Sequence, residues 1–227
     1  MAIFTMIYKN KCSPDDPSKY RCIGLLNHAY KVLSIIILTR LQRSCEGYLK
    51  DWQAGFRKGR GCRDNSTILR TLIHEFLLDG KRVAITFIDY SVSFDSVSHK
   101  FIDKALCESG TSNKLRAIFR TVYNSASAFT TIPVPNSKTV KSSTFPITRG
   151  VVQGDITSPL YFILALEALL RRHDNFNNKG VNMGRAHIHT LSYADDAALI
   201  DEGSNTGVTT ASQRIRRSRL GRDEKLT

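Results

Sequence analysis

The chain has 227 residues, of which 41% are hydrophobic and 23% charged. This composition is close to that of an average soluble globular domain, and it excludes a wholly disordered chain, a collagen-like fibre and a coiled-coil fibre. Lys and Arg number 33 against 20 Asp and Glu, so the formal net charge is +13. Such an excess favours a polyanionic partner, most often nucleic acid, although a solvated basic surface is the alternative.

No apolar run approaches the roughly 18 residues of a membrane span, and the N-terminus shows no secretory signal pattern, so no membrane partner is expected. The five cysteines include no C-x-x-C pair and no zinc-finger spacing. This usage predicts reduced thiols in a cytoplasmic and/or nuclear compartment. A zinc site assembled from distant residues is the alternative.

The first third of the chain predicts a loop followed by two helices. Residues 10–20 are rich in Pro, Asp and Ser and favour a loop. Residues 25–49 carry apolar residues at spacings of three and four, which indicates an amphipathic helix. A second helix is expected to begin at Asp64 or Ser66 and to end at Gly80. The apolar face of the first helix comprises Leu26, Tyr30, Leu33, Ile37 and Leu41.

The remaining patterns predict alternating strands and helices. Residues 83–88 are short, apolar and β-branched, which is typical of a buried strand. The later predictions are, in chain order, helices at 98–108 and 112–124, a strand hairpin at 127–148, a helix at 159–171, two strands around an acidic centre at 187–200, and a poorly ordered end at 203–227.

Three carboxylates stand out because apolar strands surround them. Asp89 ends the strand at 83–88, and Asp195 with Asp196 lies between two apolar arms. Adjacent carboxylates repel one another and are costly to bury without a cation. Magnesium is the natural cation for oxygen ligands, and two such ions would support phosphoryl transfer. An exposed acidic turn is the alternative interpretation of the Asp195–Asp196 pair.

Five sequence blocks in a fixed order resemble the reverse transcriptases of non-LTR (LINE-type) retrotransposons. The resemblance covers residues 7–202. Group II intron enzymes, retron enzymes and telomerase share parts of the same pattern. The blocks are YRCIGLLNHAYKVLS at 20–34, QAGFRKGRGCRD at 53–64, FIDYSVSFDSVSH at 87–99, RGVVQGDITSPLYF at 149–162 and YADD at 193–196.

The resemblance implies an α+β right-hand polymerase fold with an antiparallel palm sheet backed by helices and largely helical fingers. Fingers are expected at 1–86 with part of 100–150, and the palm at 87–202. The family continues into a thumb, which residues 203–227 do not match. A thumb is therefore expected to be absent, with weak grip on primer and template.

The activity implied is RNA-directed DNA polymerisation. Asp89, Asp195 and Asp196 would be the catalytic, metal-binding carboxylates, with Asp89 and Asp195 as direct ligands of magnesium, for which manganese could substitute. The partners implied are an RNA template, a DNA primer and dNTPs. The oligomeric state and the general acid for pyrophosphate stay undetermined.

The resemblance also assigns a nucleotide pocket. Arg21 would bind the triphosphate, Phe94 would pack under the sugar and exclude a 2′-hydroxyl, and Gln153 with Gly154 would contact the nucleotide and template base. Glycine suits a close approach to a ligand. The alternatives are a surface arginine at 21 and a core aromatic at 94.

A basic loop and one tyrosine would contact the nucleic acid. Arg57, Lys58, Arg60 and Arg63 place four cations within seven residues, which fits contacts to a template backbone or a solvated loop. Tyr193 would support the hairpin and the primer end.

The chain departs from the family pattern at several positions. Cys22 replaces a usual proline, Val92–Ser93 replaces a usual Lys-Ala, and Val152 stands where a basic residue is common. Two alternatives therefore stay open. One is a truncated, catalytically inactive retrotransposon remnant that keeps the fold and binds RNA. The other is a magnesium nuclease, against which Phe94 and Gln153 argue.

Overall fold

The protein is described by a computed structural model that covers residues 2–9, 16, 19–90, 93–132, 140–172 and 180–203. Within these ranges the elements in chain order are β1 (Ala2–Tyr8), β2 (Tyr20–Leu25), α1 (His28–Cys45), α2 (Cys62–Leu78), β3 (Val83–Ile88), α3 (Ser93–Ser96), α4 (His99–Glu108), α5 (Asn113–Asn124), β4 (Ser127–Ile132), β5 (Val140–Lys141), β6 (Phe145–Pro146), α6 (Ser158–Arg172), β7 (Val181–Met183), β8 (Ala186–Ile188), β9 (Thr190–Tyr193) and β10 (Asp196–Glu202).

The chain forms two compact units, each made from two stretches of sequence. The first unit joins Met1–Glu46 to Phe94–Tyr161, and the second joins Gly47–Ser93 to Phe162–Thr227. These boundaries differ from the predicted division at residue 86, because residues 47–86 belong with the later part of the chain. The assignment of fingers and palm stays a prediction, and most of the predicted poorly ordered end lies outside the described residues.

The first unit contains a mixed sheet in the order β2-β1-β4-β5, with β6 also paired to β4. The predicted hairpin at 127–148 is confirmed, because β4 pairs antiparallel with both β5 and β6. The sequence analysis missed β1 and β2. It also missed that β1 runs parallel to β4, so this sheet is not purely antiparallel.

Helix α1 confirms the predicted helix but buries a different set of side chains. Its N-terminus is capped by Asn27, whose side chain accepts a hydrogen bond from the backbone N–H of Ala29 at 2.8 Å. The predicted core residue Leu33 is 44% exposed. The buried residues are Ser34, Ile37, Leu41 and Cys45.

The second unit contains a three-stranded antiparallel sheet in the order β3-β10-β9. Helix α2 packs Leu72 and Phe76 against Leu191 and Ile200 of this sheet. Strand β3 lies at the sheet edge, and its Phe87 is 74% exposed. The prediction of a buried strand was therefore wrong, because within the described residues β3 pairs with β10 alone.

No helix in the described part of the chain is both long enough and apolar enough to cross a membrane.

Candidate active site

The acidic centre of the second unit is a tight β-hairpin turn. Strands β9 and β10 pair antiparallel, with Tyr193 opposite Asp196. Ala194 and Asp195 form the turn, and Ala194 adopts a φ of 56°. A positive φ is strained for a residue with a Cβ, so the surrounding structure must hold the turn.

The side chain of Gln53 holds this turn in place through hydrogen bonds. Its side chain is 2% exposed, and its Oε1 accepts hydrogen bonds from the backbone N–H of Ala194 at 3.0 Å and of Gly55 at 2.8 Å. Its Nε2 donates to Ser192 Oγ at 3.1 Å and to the Ala194 carbonyl at 3.3 Å. A Cβ at Gly55 would lie 2.3 Å from the Ala194 nitrogen. The loop at Gly55 therefore packs so closely against the hairpin backbone that a Cβ at this position would clash.

Asp89 follows the last residue of β3 and lies beside this hairpin. Ile88 pairs with Ala197, so Asp89 and Asp196 are the next residues along two neighbouring strands. Both line a surface pocket of about 320 Å³, together with Tyr193 and Phe87. The antiparallel register thus brings the predicted carboxylates to one edge of the sheet, as the sequence led us to expect.

The three carboxylates have the chemistry of a magnesium site. Asp89 and Asp196 are exposed and Asp195 is half-buried. Among the described residues none of the three has an ion-pair partner. Three anionic groups at one sheet edge without a protein cation fit hard divalent ions, which prefer oxygen ligands.

The side chains are not gathered into a closed metal cage. In the described ranges no three His, Cys, Asp or Glu side chains are grouped closely enough to hold a metal ion as they stand. Asp195 Oδ2 instead accepts a 2.7 Å hydrogen bond from Ser93 Oγ. The register of the two strand pairs brings the backbone positions of Asp89, Asp195 and Asp196 together at this end of the sheet.

The predicted nucleotide-pocket residues lie in the first unit. Gln153 Nε2 donates to both carboxylate oxygens of Asp95, at 3.3 Å and 3.2 Å, and the Gln153 carbonyl accepts from the Gly24 N–H at 2.6 Å. Gly154 has a φ of 111°, and a Cβ there would lie 2.5 Å from the Gly24 carbonyl oxygen. The contact with β2 and the positive φ therefore already require glycine at this position, and the predicted ligand contact of Gly154 stays a prediction.

Phe94 and Arg21 also lie in the first unit. Phe94 is half-buried, and its carbonyl accepts a hydrogen bond from the Val151 N–H at 2.9 Å. Arg21 is exposed on β2, opposite Ile7. Neither the sugar-packing role of Phe94 nor the triphosphate role of Arg21 is tested by these contacts, and both stay predictions.

The basic loop divides into structural and exposed cations. Arg57 is 8% exposed, and its Nη1 donates to the carbonyls of Lys50 at 2.7 Å and Gln53 at 2.9 Å. It supports the loop from inside, which corrects its predicted role as a template contact. Arg60 is ion-paired with Asp51. Lys58 and Arg63 are exposed.

A family model described as reverse transcriptase (RNA-dependent DNA polymerase) matches residues 7–220. This chain belongs to the reverse transcriptase family. It is 32% identical over 193 residues to a Pol polyprotein of the type-1 retrotransposable element R2 from Popillia japonica, covering 83% of this chain and 26% of that protein. It is 29% identical to an R2 Pol polyprotein from Nasonia vitripennis, covering 82% of this chain and 17% of that protein. These non-LTR relatives confirm the predicted resemblance, and this reverse transcriptase chain spans only about a sixth to a quarter of their length.

Solved polymerase structures resemble this reverse transcriptase chain in fold. An apo telomerase from Candida tropicalis, truncated from its C-terminal domain, matches with a TM-score of 0.60 at 12% identity, covering 88% of this chain and 44% of that chain. An RdRp complex matches with a TM-score of 0.54 at 14% identity, covering 94% of this chain and 19% of that chain. The mixed α+β fold is thus one found in nucleic-acid polymerases. The limits of fingers and thumb stay predictions.

Three residues that support the site were missed by the sequence analysis. Gln53 was assigned to a template loop but holds the hairpin, Ser93 was noted only as a departure from the family, and Asp95 was not singled out. Each acts through a contact between residues more than 50 positions apart. The periodicity of apolar residues and the spacing of motifs indicate local structure, so they do not predict such long-range contacts.

Proposed function

We propose that this chain is the fingers and palm core of an RNA-directed DNA polymerase. It extends the 3′ end of a DNA primer with dNTPs, in the order set by an RNA template. The proposal is supported most directly by the position of Asp89 beside the Asp195–Asp196 turn, at one end of the sheet, in a chain of the reverse transcriptase family.

Asp89, Asp195 and Asp196 would hold two magnesium ions, with manganese as a substitute. When bound, the ions supply charge neutralisation at the attacking 3′-oxygen and at the departing pyrophosphate. The protein contributes a fixed backbone for the carboxylates. Gln53 fixes the turn that carries Asp195, and the ladder between β3 and β10 fixes the distance to Asp89.

The nucleotide is proposed to bind the first unit. Arg21 is exposed, and its planar guanidinium is suited to a triphosphate. The side-chain nitrogen of Gln153 donates to Asp95, and its side-chain Oε1 is proposed as the acceptor that meets a ligand. Phe94 is anchored at its carbonyl by Val151 and would exclude a ribose 2′-hydroxyl.

The template is proposed to contact the exposed cations of the basic loop. Lys58 and Arg63 are exposed, and a net charge of +13 favours a polyanion. One of the similar telomerase structures is described as a complex with a fragment of telomeric RNA, which supports a nucleic-acid partner for this fold.

The test is primer extension by the purified chain on an RNA template with dNTPs and magnesium. Asp195→Asn removes one carboxylate charge and is expected to lower incorporation about a thousandfold or more. Asp79→Asn is the matched control, because Asp79 lies in the same unit and, among the residues that the structure describes, its carboxylate pairs with the exposed Lys81 alone. Equal incorporation by wild type and Asp195→Asn would refute the assignment. RNA binding without any incorporation would favour the inactive remnant.

A further inference from the structure

Ser93 makes a side-chain hydrogen bond to one of the predicted metal ligands, Asp195. Its Oγ donates to Asp195 Oδ2 at 2.7 Å across 102 positions of sequence. Ser93 is 5% exposed, so water competes little for this bond. A buried hydroxyl bonded to a carboxylate is among the stronger neutral-donor hydrogen bonds in proteins.

This bond restricts how Asp195 can bind an ion. It occupies a lone pair of Oδ2 and limits rotation of the carboxylate, while Oδ1 stays open for coordination. Asp195 lies in a two-residue turn after the strained Ala194, so nothing else in its own segment fixes its side chain. Ser93 therefore supplies an orientation that the hairpin lacks.

Ser93 also links two parts of the second unit. It lies four residues after Asp89 and begins helix α3, and its hydroxyl bonds to Asp195 in the turn between β9 and β10. The segment that carries one predicted ligand is thereby tied to the turn that carries another.

We infer that Ser93 is a positioning residue that orients the Asp195 carboxylate for divalent-cation binding. The inference rests on the proposed function, because it assumes that Asp195 is a metal ligand. Outer-shell hydrogen bonds of this kind change metal affinity by about 10- to 100-fold.

The experiment compares Ser93→Ala with Ser93→Thr, which keeps the hydroxyl. Ser44→Ala is the matched control, because the Ser44 hydroxyl bonds only within its own helix α1. Binding of Mn²⁺ is measured without nucleotide from the loss of the free-ion electron paramagnetic resonance signal. Ser93→Ala is expected to weaken binding about tenfold, and the threonine variant is expected to bind within about threefold of wild type. Ser93→Ala binding as tightly as wild type would overturn the inference.

A second readout needs neither metal nor turnover. The ¹³C resonance of the Asp195 carboxylate is compared between metal-free wild type and Ser93→Ala, and a shift is expected only for the variant that loses the hydroxyl. An unchanged resonance would overturn the inference whatever the metal data show. Wild type that binds no Mn²⁺, with the resonance shift present, would instead count against the proposed metal site and hence against the proposed function.

Discussion

Gln53 is the residue on which the position of the acidic turn depends most. Its Oε1 accepts from two buried backbone N–H groups, of Ala194 and Gly55. Gln53→Ala leaves both donors without a partner, and each unsatisfied buried donor costs about 1–3 kcal/mol. Partial entry of water reduces the sum, so the free energy of unfolding is expected to fall by about 2–4 kcal/mol. That is a large fraction of the roughly 5–15 kcal/mol of a typical domain.

The chain offers a local probe for this measurement. Its single tryptophan, Trp52, precedes Gln53. The backbone carbonyl of Trp52 accepts a hydrogen bond from the Ser192 N–H at 2.7 Å. Urea unfolding followed by Trp52 fluorescence therefore reports on the hairpin support. Gln42→Ala, in helix α1 of the other unit, is the matched control and should change stability by less than about 0.5 kcal/mol. A loss below about 1 kcal/mol for Gln53→Ala would refute the reasoning that Gln53 holds the turn.

Three further predictions concern the close fit of the loop, the nucleotide pocket and the template contacts. Gly55→Ala should lower stability and incorporation, because the new Cβ would lie 2.3 Å from the backbone nitrogen of Ala194 in the hairpin. Gly47→Ala is the control, because a Cβ there meets nothing within 4 Å. Equal melting temperatures of the two variants would contradict this prediction. Asp95→Ala should raise KM for dNTPs about three- to tenfold with a smaller change in kcat, because the Gln153 side-chain amide loses both acceptor oxygens that hold it. An unchanged KM would count against the pocket. A Lys58→Ala/Arg63→Ala variant should bind RNA with a shallower dependence of log Kd on log salt, by about one to two units of slope, and an unaltered slope would mean that these exposed cations are only solvated.

The sequence predicted helices and strands well where the periodicity of apolar residues and helix-breaking residues agreed. The helix after the basic loop and the helix after residue 158 were both anticipated, because apolar residues recur at helical spacing between glycine or proline signals. The acidic turn was anticipated because two short apolar arms flank YADD. Local patterns indicate local structure, so the presence of these elements could be predicted without knowledge of their tertiary contacts.

The sequence predicted the supporting contacts poorly. Arg57 and Gln53 share one loop with Lys58, but only the fold shows that the first two are buried against backbone carbonyls and amides. The parallel pairing of β1 with β4 was missed because the two strands lie more than 120 residues apart in the chain. Burial and long-range pairing follow from the tertiary structure, which a single sequence does not display.

The central claim is that Asp89 and the Asp195–Asp196 turn together bind divalent ions. Anomalous diffraction at the manganese edge, from crystals of the chain grown with Mn²⁺, a dNTP and a primer–template, tests it most directly. The account predicts manganese within coordination distance, roughly 2.0–2.6 Å, of carboxylate oxygens of both Asp89 and Asp195, as for other hard divalent cations. Manganese bound elsewhere, or these two carboxylates lying more than about 10 Å apart in the complex, would contradict it.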